Sequence, residues 1–278
     1  ALLADGENLN EYFPGYTVDQ IESDELSYSI QDNLYPSPTR FYRKMYNTTL
    51  DLKFNYEKPI ARDLGDDNKV AFGLSMVRRT RDYSENRYSF VSQGVSYNGN
   101  PTDYFSSDNM SIIPGTSSGA TNYIYLRDDT DIQNSYEASQ SVLGGYAMMN
   151  ISPTENLKLN GGIRVEATDM LLESDKLNDE NLLPELEQNF RGSLNVLDVL
   201  PSLNMTLKLA EQDLKVTNYR FSASQSVARP LFREKAPFSV FDFEIQEQQT
   251  GNTALNRTKI LNIDNRIEVF PGLRGLLS

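Results

Sequence analysis

The sequence contains no cysteine and no histidine. Without cysteine there is no disulfide, no thiolate nucleophile and no thiolate metal site. Without histidine as well, zinc hydrolase sites, Ser-His-Asp triads and Cys-His dyads cannot be assembled from this chain. Long apolar runs are missing too. No segment approaches the roughly 18 consecutive apolar residues of a membrane-crossing helix, and no basic stretch followed by an apolar one opens the chain. Positive charge is in deficit, with a formal net charge of −13, which opposes phosphate backbones and makes nucleic acid an unsuitable partner.

What is present is aromatic and alternating. Only 38% of the 278 residues are hydrophobic, yet there are 16 Tyr and 13 Phe. Low mean hydropathy does not exclude a membrane, because a transmembrane barrel confines its lipid face to alternate residues.

Period-two alternation marks the strands. Leu50, Leu52, Phe54 and Tyr56 interleave with Asp51, Lys53 and Asn55, and Val70, Phe72, Leu74 and Met76 with Ala71, Gly73 and Ser75. Leu157, Leu159, Ile163 and Val165 alternate with Lys158, Asn160, Arg164 and Glu166, and Leu203, Met205, Leu207 and Leu209 with Asn204, Thr206 and Lys208. Thr217, Tyr219, Phe221 and Ala223 oppose Asn218, Arg220, Ser222 and Ser224; Leu261, Ile263, Ile267 and Val269 oppose Asn262, Asp264, Arg266 and Glu268. A seventh strand, Val142 to Ile151, is apolar on both faces from Tyr146 to Met149, so its facing stays open.

Connections alternate in length. Short turns are expected at Pro59 to Asn68, Pro153 to Asn156, Glu211 to Asp213 and Pro271-Gly272. Long loops are expected from Arg81 to Ser139, Met170 to Val196 and Ala228 to Arg257, and the first 44 residues read as one more. The stretch Leu182 to Phe190 has a helical flavour limited by Pro184. An antiparallel meander with tight turns at one end and long loops at the other is the pattern of outer-membrane barrels. A soluble β-sandwich that binds glycan through its loops shares the alternation, and would gather Leu52, Phe54, Leu159, Ile163, Met205 and Phe221 into a core. Charges at interior strand positions and loops of several tens of residues favour the barrel.

From Asn218 the chain reads NYRFSASQSVARPLFREKAPFSVFDFE and then GNTALNRTKILNIDNRIEVFPG, preceded by GGYAMMNISPTENLKLNGGIRVEAT at Gly144 to Thr168. These phrases resemble TonB-dependent receptors of the Bacteroidota type, most clearly from Ser141 to Gly272. The resemblance implies an all-β, antiparallel up-and-down transmembrane barrel in the bacterial outer membrane, importing an iron chelate, vitamin, glycan or peptide without catalysis. It also implies energy from a TonB complex acting through a plug domain, contact with outer-membrane lipid and a possible surface lipoprotein partner. The energy-coupling box, plug and closing aromatic strand of such receptors are missing here. Seven strands cannot close a barrel of about twenty-two, so residues 1–278 are expected to be part of one barrel domain.

Arg164, Glu166, Lys208, Arg220, Asp264, Arg266 and Glu268 fall on the polar faces and would line a wet lumen, meeting water, a plug or solute. Arg229, Arg233 and Glu234, around Pro230 and Phe232, offer either an arginine fork for a carboxylate or phosphate, or an ion pair locking a loop. Tyr83, Tyr88, Phe90, Tyr97, Tyr104, Phe105, Tyr123 and Tyr125 are expected in outer loops, where amphipathic rings suit ligand contact or plain packing. Asp128, Asp129 and Asp131 are oxygen donors for calcium, without the spacing or glycine of a calcium loop. No other cofactor is expected, and a carboxylate glycosidase would need a cleft that the sequence does not display.

Overall fold

The structure, a computed structural model, describes residues 8–12, 16–20, 26–30, 38–60, 68–111, 122–212, 215–242 and 247–270. The strands are β1 (Asn8–Tyr12), β2 (Tyr16–Gln20), β3 (Leu26–Ile30), β4 (Thr39–Pro59), β5 (Lys69–Gln93), β6 (Met110–Ser111) and β7 (Tyr123–Asp128). They continue with β8 (Tyr136–Thr154), β9 (Leu157–Ser174), β10 (Arg191–Gln212), β11 (Lys215–Ala228), β12 (Ser239–Asp242), β13 (Glu247–Thr250) and β14 (Thr258–Phe270). Two short helices, α1 (Pro101–Tyr104) and α2 (Phe232–Lys235), lie in connections.

All seven strands read from alternation are present as β4, β5, β8, β9, β10, β11 and β14, neighbours in that order in one ten-stranded sheet that β1 joins beside β4. The strands are longer than the sequence suggests. Arg81 to Gln93, expected as loop, continues β5, so Tyr83, Tyr88 and Phe90 are strand residues. Met170 to Ser174 and Arg191 to Val196 likewise extend β9 and β10. The leading segment is not one loop, since β1 pairs antiparallel with β4 and β2 with β3. The Leu182–Phe190 stretch holds a 3-10 helix at Pro184–Asn189. The Pro271-Gly272 turn, most of the Pro59–Asn68 turn and Asp213 lie outside the described residues.

The chain divides into two compact units, residues 1–46 with 82–136, and residues 47–81 with 137–278. The second unit is the meander. Its registers run antiparallel from β9 to β10 (Val199 opposite Val165), β10 to β11 (Met205 opposite Phe221) and β11 to β14 (Ala223 opposite Ile263). Such pairing keeps side chains of one parity on one face across neighbouring strands. A bulge between Lys208 and Ala210 shifts the register near the turn end.

The apolar parity has no core to enter. Leu52 is 54% exposed, Phe54 62% and Ile163 54%, so the six residues that a sandwich would gather inside are not among its buried residues. Along β9 the outward series Leu157, Leu159, Gly161, Ile163, Val165 and Ala167 covers ten residue steps, about 33 Å of strand, or about 25 Å of height after the usual tilt. That matches the apolar belt of a membrane barrel. Beyond it polar pairs enter the outward positions on either side of exposed Leu171, with Asn195 donating to Asp169 at 3.3 Å and Arg191 paired to Glu173 at 2.8 Å. The facing left open in β8 is resolved: Leu143 and Met149 point outward, while the Tyr146 hydroxyl donates to Asn55 on the polar face at 2.9 Å.

Candidate functional site

Glu166 on β9 and Asp198 on β10 stand directly opposite each other on the inner face. Two carboxylates in that position repel, so the pairing is tenable only with cations supplied from outside it. Arg164, two residues back on the same face, donates through Nε to Glu166 at 2.5 Å and through Nη2 to the Ser75 hydroxyl at 2.8 Å. Arg229 donates through Nη2 to the other Glu166 oxygen at 2.5 Å and through Nε to Thr168 at 2.8 Å. Arg257 donates through Nε to Asp198 Oδ1 at 2.8 Å. Asp198 Oδ2 accepts no hydrogen bond, and its nearest cation is Arg229 at 3.8 Å.

The placement of these arginines is topological. Arg229 is the residue after β11 and Arg257 the residue before β14, strands whose register closes at Ala228 opposite Thr258. Both ends of the 229–257 connection are therefore held by one carboxylate pair. Pro230, with its fixed φ, directs the chain away from the strand at that point.

The connection has a small core of its own in Phe232, Ala236 and Phe238. The Glu234 carboxylate accepts from the Leu231 amide at 2.7 Å and caps α2. Lys235 is fully buried, and its Nζ donates to the carbonyls of Thr253 at 2.6 Å and Leu255 at 2.7 Å. Burial pushes its ammonium below the usual lysine range. Gly192 on β10 admits it, since a Cβ there would lie 3.2 Å from Lys235 Cε. The connection thus lies over the inner face of β10.

A second charged group occupies the open part of the inner wall. Arg220 and Arg266 oppose each other in register, and Glu268 serves both, at 2.9 Å from Arg220 and 3.6 Å from Arg266. Asp264 stands opposite Ser222 and is exposed. Lys208 shares this face.

An outward apolar belt, an inner wall of paired charges and alternating turns and loops are the parts of a solute-conducting barrel. Residues 3–264 match the family described as TonB dependent receptor-like, beta-barrel. This chain belongs to that family. No curated protein and no solved structure matches it. Members of the family are outer-membrane receptors and transporters rather than enzymes. The family also implies coupling to TonB and a transported substrate.

In this receptor barrel the inner-wall residues read from sequence separate into the two groups above. Arg233 and Glu234 do not pair with each other; the lock is Arg229 on Glu166. Asp198 and Arg257 were not legible, because Asp198 sits in NVLDVL, apolar on both parities, and Arg257 in a segment expected to be loop. The signal available was a lone acidic residue in an apolar run.

Within the first unit, Tyr97 and Tyr104 are buried against Ile124, with Phe90, Val95 and Phe105 around them. They build a loop core, while Tyr123 and Tyr125 remain half-exposed with ring centroids 6.1 Å apart. The three aspartates serve local turns. Asp128 accepts from the Thr130 amide at 2.9 Å, Asp131 from the Gln133 amide at 3.2 Å, and Asp129 takes both arms of Arg127 at 2.6 and 2.9 Å. That fork holds the Asp129 carboxyl below the usual carboxylate range. Among the described residues no three acidic side chains gather to hold a metal. Buried Glu85, bonded by Arg43 at 2.6 Å and Asn134 at 2.8 Å, organises a region expected to be loop.

Proposed function

We propose that this chain is part of the barrel of a Bacteroidota-type receptor that imports a nutrient, with its 94–135, 175–190 and 229–257 connections facing outward. The observation that carries this reading is the separation of the strand faces, with the apolar residues of the alternating parity exposed outside and ion-paired arginines and carboxylates inside. A water-filled or plugged lumen keeps such charges hydrated or paired, whereas a sandwich would bury the opposite parity. Energy reaches the barrel from a TonB complex through a plug domain, and the inner-wall groups around Glu166 and Glu268 are where plug or solute meets the barrel. The half-exposed Tyr123 and Tyr125 supply amphipathic contact area for cargo.

The absence of cysteine makes the test clean. Ser107→Cys in the 94–135 connection and Thr154→Cys in the β8–β9 turn are introduced singly into the full-length parent protein. An impermeant maleimide added to intact cells is expected to label Ser107→Cys at once and Thr154→Cys only after the cells are opened. Equal labelling of both in intact cells sinks the proposed orientation, and recovery of the protein outside the outer-membrane fraction sinks the barrel placement.

A further inference from the structure

The 229–257 connection contains a cleft of about 280 Å³ lined by Arg233, Glu234, Phe238, Gln249, Gly251 and Asn252. Its shape depends on Gly251, where a Cβ would fall 1.9 Å from the Ala236 carbonyl oxygen. The Gly251 amide bonds the Phe238 carbonyl at 3.2 Å and the Asn252 amide bonds the Glu234 carbonyl at 2.7 Å, so the backbone forms a closed frame. The opening is held by the fold.

The charge around this frame is unbalanced. Arg229 and Arg257 are consumed by Glu166 and Asp198, but among the described residues no acidic side chain pairs with the Arg233 guanidinium. Glu234, the one carboxylate lining the cleft, is turned to the Leu231 amide. Lys235, two residues on from Arg233, donates its ammonium to the Thr253 and Leu255 carbonyls. Among the described residues that line the cleft, Arg233 is therefore a cation without an ionic partner, on a chain of net charge −13. A guanidinium not engaged by a described carboxylate, beside the Asn252 amide, is suited to two-point recognition of a carboxylate, and the cleft volume admits one sugar or amino-acid unit.

We infer that this cleft binds the carboxylate of the transported solute, held by Arg233 with Asn252 at the rim. The inference rests on the uptake reading above and narrows its substrate class to acidic sugars or peptides with a free carboxyl terminus.

The test is calorimetric titration of the purified full-length receptor with two matched pairs, galacturonate against galactose and acetyl-Ala-Ala against its amide. One acid is expected to bind at least about tenfold more tightly than its neutral twin. Arg233→Gln should abolish that preference, and Arg233→Lys should restore part of it. The pair that shows the preference identifies the source of the carboxylate. Equal binding of acid and neutral twins in both pairs, or an unchanged preference in Arg233→Gln, overturns the proposal. Thermal melting of each variant separates lost binding from lost folding, and the labelling experiment reads the uptake assignment independently, so the two failures remain distinguishable.

Discussion

Two groups of charges line the same inner wall under different solvation. Around Glu166 and Asp198 the 229–257 connection covers the wall, Asp198 is 1% exposed, and every guanidinium in reach is engaged by geometry that the strands impose. Around Glu268 the carboxylate is buried, but both of its cations reach water, Arg220 being 50% and Arg266 53% exposed. The covered group is sensitive to removal of any one partner, because an unpaired charge left out of water costs several kcal/mol. In the second group each exposed arginine can be rehydrated when its partner is lost, and Glu268 keeps the other cation, so removing one arginine costs little. The contribution of an ion pair therefore depends on its solvation.

The largest effect expected is from Asp198→Ala, which strips Arg257 of its partner and should lower the unfolding free energy of the full-length receptor by about 3–5 kcal/mol. Urea or thermal unfolding in detergent reads it; a change under about 1 kcal/mol would erase the distinction between the two groups. Next is Gly251→Ala, whose methyl collides with the Ala236 carbonyl and should cost about 1–3 kcal/mol. Limited proteolysis is expected to show faster cutting inside 229–257 with the strands intact; an unchanged digest would mean the frame gives way without cost.

Arg266→Ala should shift stability by only about 0–1 kcal/mol, and less at high salt. A larger, salt-insensitive loss would show that the open wall is in fact covered. The smallest effect concerns Lys235. Because burial lowers its folded-state pKa, the unfolded chain holds more protons between that lowered value and the ordinary lysine range, so stability rises with pH across that window. Lys235→Met should flatten that part of the pH profile, and a profile identical to wild type would remove burial as the cause.

Much of the meander was legible because its signal is local. Leu50 to Tyr56 or Leu203 to Leu207 commit each strand by parity alone, and parity then fixes which residues share a face. Strand ends were less legible. Arg81 to Gln93 and Arg191 to Val196 are polar or mixed on both parities, since strands that pass beyond the apolar belt have no lipid to mark one face. The loop aromatics show the same limit: Tyr97 and Tyr104 have the composition of exposed ligand contacts, and only the return of Ile124 from residues later in the chain buries them.

The sequence by itself determined the parity of every strand of the meander but β8, the alternation of short and long connections, the absence of thiol and imidazole chemistry, and the family, since all of these are carried by neighbouring residues. Only the tertiary structure decided that Arg229 and Arg257 close on Glu166 and Asp198 while Arg233, beside a cleft, meets no carboxylate among the described residues. Those pairings join residues some 60 positions apart, and strand register, not local composition, places one charge within reach of another.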